Sequence, residues 1–172
     1  MADRNGGGSA LKETCVRVLV VDDYQDWRHF VVSTLQRTGE FEIVQQACDG
    51  LEAVQQAEQS LPDLVLLDVG LPSLNGLEAA RQILEVSPNS KILFVSENRS
   101  TDIVEAALGT GACGYVLKSD AGADLLPGIR SALEGKRFIS ASLAGHFLVA
   151  FVTAVHAATH LPWILTLISG IH

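Results

Sequence analysis

The sequence predicts an α/β fold, a doubly wound domain built on a five-stranded parallel sheet. From Val16 onward, short apolar runs alternate five times with stretches of helical periodicity. Turn residues such as Asp49-Gly50, Asn75-Gly76 and Pro88-Asn89 separate these segments. Five strand-helix units joined by such short connections indicate a parallel sheet with helices on both faces.

The elements follow in order along the chain. The predicted strands are VRVLVV (16–21), FEIVQQA (41–47), DLVLL (63–67), KILFV (91–95) and GYVLK (114–118). The predicted helices cover residues 25–38, 50–60, 76–86, 100–109 and 121–135. The third strand is a continuous apolar run bounded by turn residues, a pattern typical of a strand buried on both faces of a parallel sheet.

Composition narrows the classes of function. The chain has 172 residues and a net charge of -8, with no block of Lys or Arg, which argues against a nucleic-acid surface. Cys15, Cys48 and Cys113 are an odd number without close pairing, so we expect small buried hydrophobic residues rather than disulfides or a zinc site. Residues 1–14 contain charges and no apolar stretch, which predicts a flexible tail rather than a secretory signal.

The strand ends carry the chemistry. The first strand is followed by neither G-x-G-x-x-G nor G-x-x-x-x-G-K-[ST], so the phosphate cradles of nucleotide-binding folds are missing. Asp22 and Asp23 follow strand one instead, Asp68 ends strand three, Ser96 ends strand four and Lys118 ends strand five. Because parallel strands place their carboxyl ends on one edge, we expect these five residues to meet where such sheets bind ligands.

Three converging carboxylates need a positive partner. Each close pair repels by about 4 kcal/mol at an effective dielectric near 20. A solvated loop or a helix cap explains any one of these acids, but it explains the set poorly. Lys118 supplies one charge, and a hard divalent ion with oxygen ligands, best Mg²⁺, supplies the rest. A carboxylate beside Mg²⁺, a lysine and a hydroxyl is equipped to accept a phosphoryl group.

A family resemblance rests on four motifs in order: VDD, LLDVGLPSLNG, LFVS and GYVLKSD. Over residues 15–137 the chain resembles the receiver domain of two-component response regulators. The resemblance implies a flavodoxin-like sheet with strand order 2-1-3-4-5. It also implies that Asp68 is the phosphoacceptor, that Asp23 binds Mg²⁺ directly, that Asp22 holds the ion mainly through water, and that the Gly70 carbonyl completes the protein ligands.

The same resemblance assigns the switch. Ser96 is similar to the family's switch hydroxyl, Lys118 to its phosphate-binding lysine, and Tyr115 to the aromatic residue whose ring moves inward on phosphorylation. An ordinary strand aromatic is the alternative for Tyr115. Ser119 stands where receivers often have a proline after a cis bond, so the backbone of this loop is left open. Gly70 and Asn98 occupy positions that modulate the lifetime of the phosphoryl group in the family.

The implied function is a non-enzymatic, cytoplasmic response regulator. Asp68 would take a phosphoryl group from a sensor histidine kinase or phosphotransfer protein with Mg²⁺ bound, and slow hydrolysis would reset the switch. Output would pass through protein contacts, with a homodimer formed by the fourth helix, fifth strand and fifth helix or by the C-terminal extension. An unphosphorylated dimerisation scaffold and a metal-dependent phosphohydrolase are the alternatives, although DVGLP lacks the second acid of D-x-D-x-[TV].

The tail departs from the family. ALEGKRFISASL (132–143) resembles the linker to a helix-turn-helix domain, yet residues 138–172 form an apolar extension without Asp, Glu, Lys or Arg. We favour a packing or dimer-forming helix. The alternatives are a membrane anchor with a cytoplasmic receiver, since 147–169 would span about 34 Å, and a product of truncation or altered reading frame. His156 and His160 have the spacing of a metal pair, but a polar stripe is the favoured interpretation.

Overall fold

The computed structural model describes residues 15–143. Six strands and five helices follow one another: β1 (Val16–Val21), α1 (Gln25–Gln36), β2 (Phe41–Ala47), α2 (Gly50–Ser60), β3 (Leu64–Leu67), α3 (Gly76–Val86), β4 (Lys91–Ser96), α4 (Thr101–Gly109), β5 (Gly114–Leu117), α5 (Ala121–Leu133) and β6 (Phe138–Ile139). A 3-10 turn over Lys118–Asp120 joins β5 to α5.

The sheet has the order β2-β1-β3-β4-β5-β6, and each neighbouring pair of strands is parallel. The predicted order 2-1-3-4-5 is therefore confirmed. The predicted strand number is corrected from five to six, because Phe138 and Ile139 pair with Gly114 and Tyr115 at the edge of β5. A strand of two residues is too short to produce a periodic signal in the sequence.

Two apolar layers enclose the sheet. Strand residues alternate between its faces, so Val18 and Val20 of β1 enter one layer while Leu19 and Val21 enter the other. Helices α1 and α5 cover the first layer, and α2, α3 and α4 cover the second. Burial of each large apolar side chain contributes about 1.5–3 kcal/mol, so the layers hold the strand ends in place.

Local signals explain where the helices begin. The Asp49 carboxylate accepts a hydrogen bond from the Leu51 amide at 2.7 Å, and the Asn75 side-chain oxygen accepts one from the Glu78 backbone amide at 3.0 Å. Both are N-cap interactions that satisfy amides left unpaired in the first helical turn. The predicted bounds of α2 and α3 are confirmed, whereas α1 ends at Gln36 and α5 at Leu133, each two residues earlier than expected.

The expectation for the cysteines is partly wrong. Cys15 and Cys48 are exposed and Cys113 is half-buried, and all three are free thiols. Cys48 follows the last residue of β2, and its thiol approaches the Glu52 carboxylate at 3.5 Å on the surface. Cys15 precedes β1 and Cys48 follows β2, so each lies just beyond a strand end and outside the core despite its apolar neighbours in the sequence.

The predictions for the ends of the chain lie mostly outside the described residues. These are the N-terminal tail 1–14, the membrane segment 147–169 and the pair His156 and His160. Within residues 15–143, no helix has both the length and the apolar character required to cross a bilayer. Residues 138–143 are described, and they pack on the domain: Phe138–Ile139 forms β6, and Leu143 is buried in the layer that α2, α3 and α4 cover.

Candidate functional site

The five polar residues predicted at the strand ends do meet at the carboxyl edge of the sheet. An open cavity there is lined by Asp23, Asp68, Ser96 and Lys118, together with Gly70 of the β3–α3 loop. Asp22 lies directly behind it, because its carboxylate contacts Lys118. The parallel topology produces this arrangement, since β1, β3, β4 and β5 are adjacent and all end at this edge.

Asp22 is the most deeply placed acid, with 2% of its surface exposed. One carboxylate oxygen accepts the Tyr24 amide at 2.9 Å and the other lies 2.6 Å from the Lys118 ammonium. Burial raises the pKa of Asp22 above its ordinary value, against the opposing effects of Lys118 and the Tyr24 amide. Ionisation of Asp22 therefore costs more free energy in the folded protein than in water.

Asp68 is 7% exposed and projects from the end of β3. Its Oδ1 accepts the Val69 amide at 2.6 Å, and its Oδ2 accepts a hydrogen bond from the Lys118 ammonium at 3.0 Å. Gly76 allows the following loop to pass close by, because a Cβ at that position would overlap the Asp68 carbonyl oxygen. The carboxylate is therefore fixed on one side and open to the cavity on the other.

The three acids form one ligand set. Asp22, Asp23 and Asp68 each offer a carboxylate oxygen, and these oxygens lie within 4.8 Å of one another. Two of the residues are buried and Asp23 is exposed. Oxygen donors grouped in this way suit a hard divalent cation such as Mg²⁺. Gly70 lies in the same cavity, so the residues present fit the predicted metal.

Lys118 joins two of the carboxylates. Burial alone would lower the pKa of its ammonium, but the hydrogen bonds and charges of Asp22 and Asp68 outweigh this effect and raise the pKa above its ordinary value. The ammonium also lies 5.4 Å from the centre of the Trp27 ring. Lys118 is therefore a cation held among two acids and one aromatic face.

Ser96 ends β4, and Tyr115 lies on the neighbouring strand β5, where it pairs with Phe94. The Tyr115 ring is fully buried and stacks on Phe94, with ring centroids 6.1 Å apart. Its hydroxyl donates to the Asn98 carbonyl at 2.9 Å. Burial is the main cause that raises the pKa of Tyr115, and the Ser96 hydroxyl acts in the opposite direction. The ring therefore occupies an inward position under the loop that follows Ser96.

The loop around Ser119, which the sequence left open, is a 3-10 turn, and no peptide bond in residues 15–143 is cis. Ser119 accepts a hydrogen bond from the Arg99 guanidinium at 2.9 Å and donates one to Asp120 at 2.9 Å. Asp120 also accepts a hydrogen bond from Ser142. This turn therefore links the loop after β4 to the residues after β6.

Sequence reasoning missed several cavity residues, among them Trp27 and Arg99. Trp27 falls within the predicted helix 25–38. Its position could have been inferred, since a residue in the first turn after Asp22-Asp23 has to lie near the end of β1. Arg99 gave no signal, because its approach to Ser119 depends on the path of a loop.

Comparisons with known proteins point to one family. The family model described as the response regulator receiver domain matches residues 18–130. The chain is 33% identical over 129 residues to the transcriptional regulatory protein DegU of Brevibacillus brevis, covering 75% of this chain and 55% of that protein. It is 35% identical over 129 residues to the response regulator GacA of Pseudomonas viridiflava, covering 75% and 60%.

A solved structure gives the same result. The crystal structure of a LuxR-family two-component response regulator from Aurantimonas sp. SI85-9A1 superposes with a TM-score of 0.77 at 29% identity, covering 81% of this chain and 99% of that one. The chain spans only 55% and 60% of the two curated relatives named above. The similarity therefore concerns the receiver portion of those regulators.

Proposed function

Because this chain belongs to the response regulator receiver family, we propose that Asp68 accepts a phosphoryl group from the phosphohistidine of a sensor kinase or phosphotransfer protein. Receiver function in this family depends on phosphorylation. The assignment of Asp68 as the acceptor rests on the position of Lys118. Its ammonium lies 2.6 Å from Asp22 and 3.0 Å from Asp68 at the open edge of the sheet.

The contacts of Asp68 favour one of its oxygens as nucleophile. Oδ1 is occupied by the Val69 amide, whereas Oδ2 faces Lys118. In the transfer, Oδ2 forms a bond to phosphorus while the phosphorus–nitrogen bond of the donor breaks, and the imidazole leaves with the bonding electrons. Lys118 then has a phosphoryl oxygen as partner in place of the Asp68 carboxylate. Hydrolysis of the acyl phosphate transfers the phosphoryl group to water, which releases inorganic phosphate and regenerates the Asp68 carboxylate.

Asp22, Asp23, Asp68 and the Gly70 carbonyl would hold Mg²⁺ in this cavity. When bound, the ion neutralises charge on the carboxylates and on the transferred phosphoryl group. Asp23 is exposed and would bind directly, while the buried Asp22 acts mainly through water. The donor set and its burial support this assignment.

Ser96 and Tyr115 are proposed to read the phosphoryl group. Ser96 lines the cavity beside Lys118, and its hydroxyl can donate to a phosphoryl oxygen. The Tyr115 ring already points inward, and its hydroxyl donates to the Asn98 carbonyl. In receivers, an inward aromatic ring belongs to the signalling conformation. Population of this conformation would then rise on phosphorylation because Ser96 acquires a second partner.

The chain is proposed to act without turnover of an external substrate, in the cytoplasm, through protein contacts. Its partners would be the donor kinase and a second copy of the chain, which would dock through α4, β5 and α5 or through residues 138–172. The acidic composition supports protein partners over DNA for this chain.

The test is incubation with acetyl phosphate, with and without Mg²⁺, followed by intact mass measurement. Wild type is expected to gain one phosphoryl group only with Mg²⁺, and Asp68→Asn is expected to gain none. Asp102→Asn is the matched control, since Asp102 is an exposed acid in the first turn of α4. Absence of phosphoryl transfer to folded wild type would leave the dimerisation scaffold as the better explanation.

A further inference from the structure

We propose that Trp27 is a positioning residue for Lys118. The face of its indole ring holds the ammonium on the side of the cavity occupied by Asp22 and Asp68. This inference deepens the proposed function and rests on it for its effect on phosphoryl transfer. The contact between Trp27 and Lys118 can be tested without any phosphoryl group.

The first turn of α1 is attached firmly to the end of β1. The Tyr24 amide donates to the Asp22 carboxylate at 2.9 Å, and the Arg28 guanidinium donates to the Asp22 carbonyl oxygen. Trp27 lies between these two anchors, on the third residue of the helix. The hydrogen bonds of Tyr24 and Arg28, which flank Trp27 in the sequence, therefore hold its ring at the cavity.

The ammonium of Lys118 has partners of two kinds. Asp22 and Asp68 attract it by charge, while the Trp27 ring lies with its centroid 5.4 Å away. A cation this close to an indole face is attracted by the ring quadrupole, and Trp is the strongest such partner among the aromatic residues. The ring attracts the ammonium even when a neighbouring carboxylate is neutralised, because the attraction comes from the ring quadrupole and not from the carboxylate charge.

This difference matters during phosphoryl transfer. Lys118 is attracted to Asp68 through Oδ2, and in the proposed reaction that oxygen forms the new bond. A lysine held only by the remaining carboxylate of Asp22 would then be free to swing toward solvent. The indole face restricts this motion and keeps the ammonium where the incoming phosphoryl oxygens arrive. An aliphatic residue at position 27 would fill space but would supply no quadrupole.

Trp27 also has a neighbour suited as control. Its ring packs on Phe30 at a centroid distance of 5.0 Å and an angle of 38°. Phe30 is 42% exposed and is absent from the residues that line the cavity described above. Substitution of Phe30 therefore perturbs the packing of Trp27 without removing the face that Lys118 contacts.

The first measurement is the proton chemical shift of the lysine ε-methylene groups by carbon-correlated NMR, in a chain that has four lysines. One lysine, identified as Lys118 by its loss in Lys118→Met, is expected to be displaced upfield by the indole ring current. Trp27→Phe should retain a smaller displacement, Trp27→Leu should abolish it, and Phe30→Leu should preserve it. Equal shifts in wild type and Trp27→Leu would overturn the proposal.

The second measurement is the rate of phosphoryl transfer from acetyl phosphate to Asp68 in the same variants. Trp27→Leu is expected to be slower by about 3- to 10-fold, the range that a partly buried cation–π contact supports. Trp27→Phe and Phe30→Leu should stay within about 2-fold of wild type because each keeps an aromatic face over Lys118. Equal rates for Trp27→Leu and Trp27→Phe would show that bulk, not the ring face, is what matters, and would refute the positioning role.

The two proposals fail in different ways. If wild type accepts no phosphoryl group, the proposed function is wrong, whatever the NMR result. If wild type is phosphorylated while the ring-current shift is missing, the proposed function stands and the role of Trp27 is wrong. Thermal unfolding of each variant identifies any substitution that acts merely by loosening α1.

Discussion

The strands of this protein join two regions of opposite chemistry, an apolar interior and a polar carboxyl edge. In β3, Leu64–Leu67 are at most 2% exposed and pack into both layers. The next residue, Asp68, is nearly as buried yet carries a carboxylate. One residue along the backbone thus separates side chains whose burial stabilises the fold from side chains whose burial opposes it.

The difference indicates how the site is maintained. The raised pKa of Asp22, caused chiefly by burial, indicates that its charge destabilises the native state in the absence of a metal. Lys118 offsets only part of the acidic charge, since the cluster has three carboxylates and its one ammonium pairs with two of them. The interior must therefore supply the free energy that holds the edge together, and substitutions in the two regions should have opposite effects on stability.

The largest effect is expected from Phe94→Ala in the interior. Phe94 is fully buried and stacks on Tyr115. Removing the ring should lower the free energy of unfolding by about 3–5 kcal/mol, because a cavity is left as well as lost apolar contact. Urea denaturation monitored by circular dichroism measures this. A loss below about 1 kcal/mol would mean that the interior does not dominate stability.

Gly76→Ala tests the junction between the two regions. The new methyl group would overlap the Asp68 carbonyl oxygen and come within 2.8 Å of the Val69 Cα atom. Displacement of this backbone should cost about 1–3 kcal/mol and also slow phosphoryl transfer to Asp68.

Gly122→Ala is the control for that variant. Gly122 lies in α5, and a Cβ there meets nothing within 4 Å. Alanine should stabilise this helix by about 0.4–1 kcal/mol and leave phosphoryl transfer unchanged. Wild-type transfer rates in Gly76→Ala, measured by intact mass, would contradict the need for close approach at this position.

Asp22→Asn should act in the opposite direction and stabilise the metal-free protein by roughly 1 kcal/mol at neutral pH. The native carboxyl keeps its proton to a higher pH than the unfolded one, so wild type loses stability as the pH rises from the ordinary value of 3.8 through the raised native pKa. The advantage of asparagine should therefore be full above this window and absent below it.

Denaturation in the presence of a chelator, repeated across this pH range, checks the Asp22 prediction. The same variant should bind Mg²⁺ more weakly, because a carboxylate that contributes to the ligand set is lost. A variant that is less stable than wild type at every pH would show that the contact with Lys118 outweighs the cost of burial.

The smallest effect is expected from Glu40→Ala. The ion pair between Arg130 and Glu40 has a 2.9 Å distance, but the two side chains are 55% and 50% exposed. Solvent screens such a pair, so the free energy of unfolding should change by less than about 1 kcal/mol, and less at high salt. A larger loss in thermal or urea unfolding would place part of the stability on the surface rather than in the interior.

The sequence predicted most of the fold because the spacing of apolar residues and the positions of turn residues indicated the same boundaries. β1, β2, α2 and α3 have the expected bounds, since apolar runs end at residues such as Asp49 and Asn75 that also cap helices. β6 could not be predicted, because Phe138–Ile139 is a strand only through its pairing with Gly114 and Tyr115. Tertiary contact, not local pattern, creates that element.

The site was predictable at the level of which residues meet, and less so at the level of their contacts. Strand ends in a parallel sheet place Asp68 and Lys118 together whatever their rotamers. The shorter approach of Lys118 to Asp22 than to Asp68, and the cover given by Trp27, depend on side-chain geometry. The roles of Asp68, Ser96 and Tyr115 in phosphoryl chemistry stay predictions.

β6 has a consequence for association through the sheet. The Ser140 amide donates to the Tyr115 carbonyl at 3.0 Å, and the Ser140 hydroxyl accepts the Leu117 amide at 3.0 Å, so the outer backbone groups of β5 already have partners. A peptide from another chain therefore could not pair directly with β5 by strand addition. The opposite edge, β2, presents seven residues, including the exposed Glu42, whose charge disfavours unintended edge-to-edge aggregation.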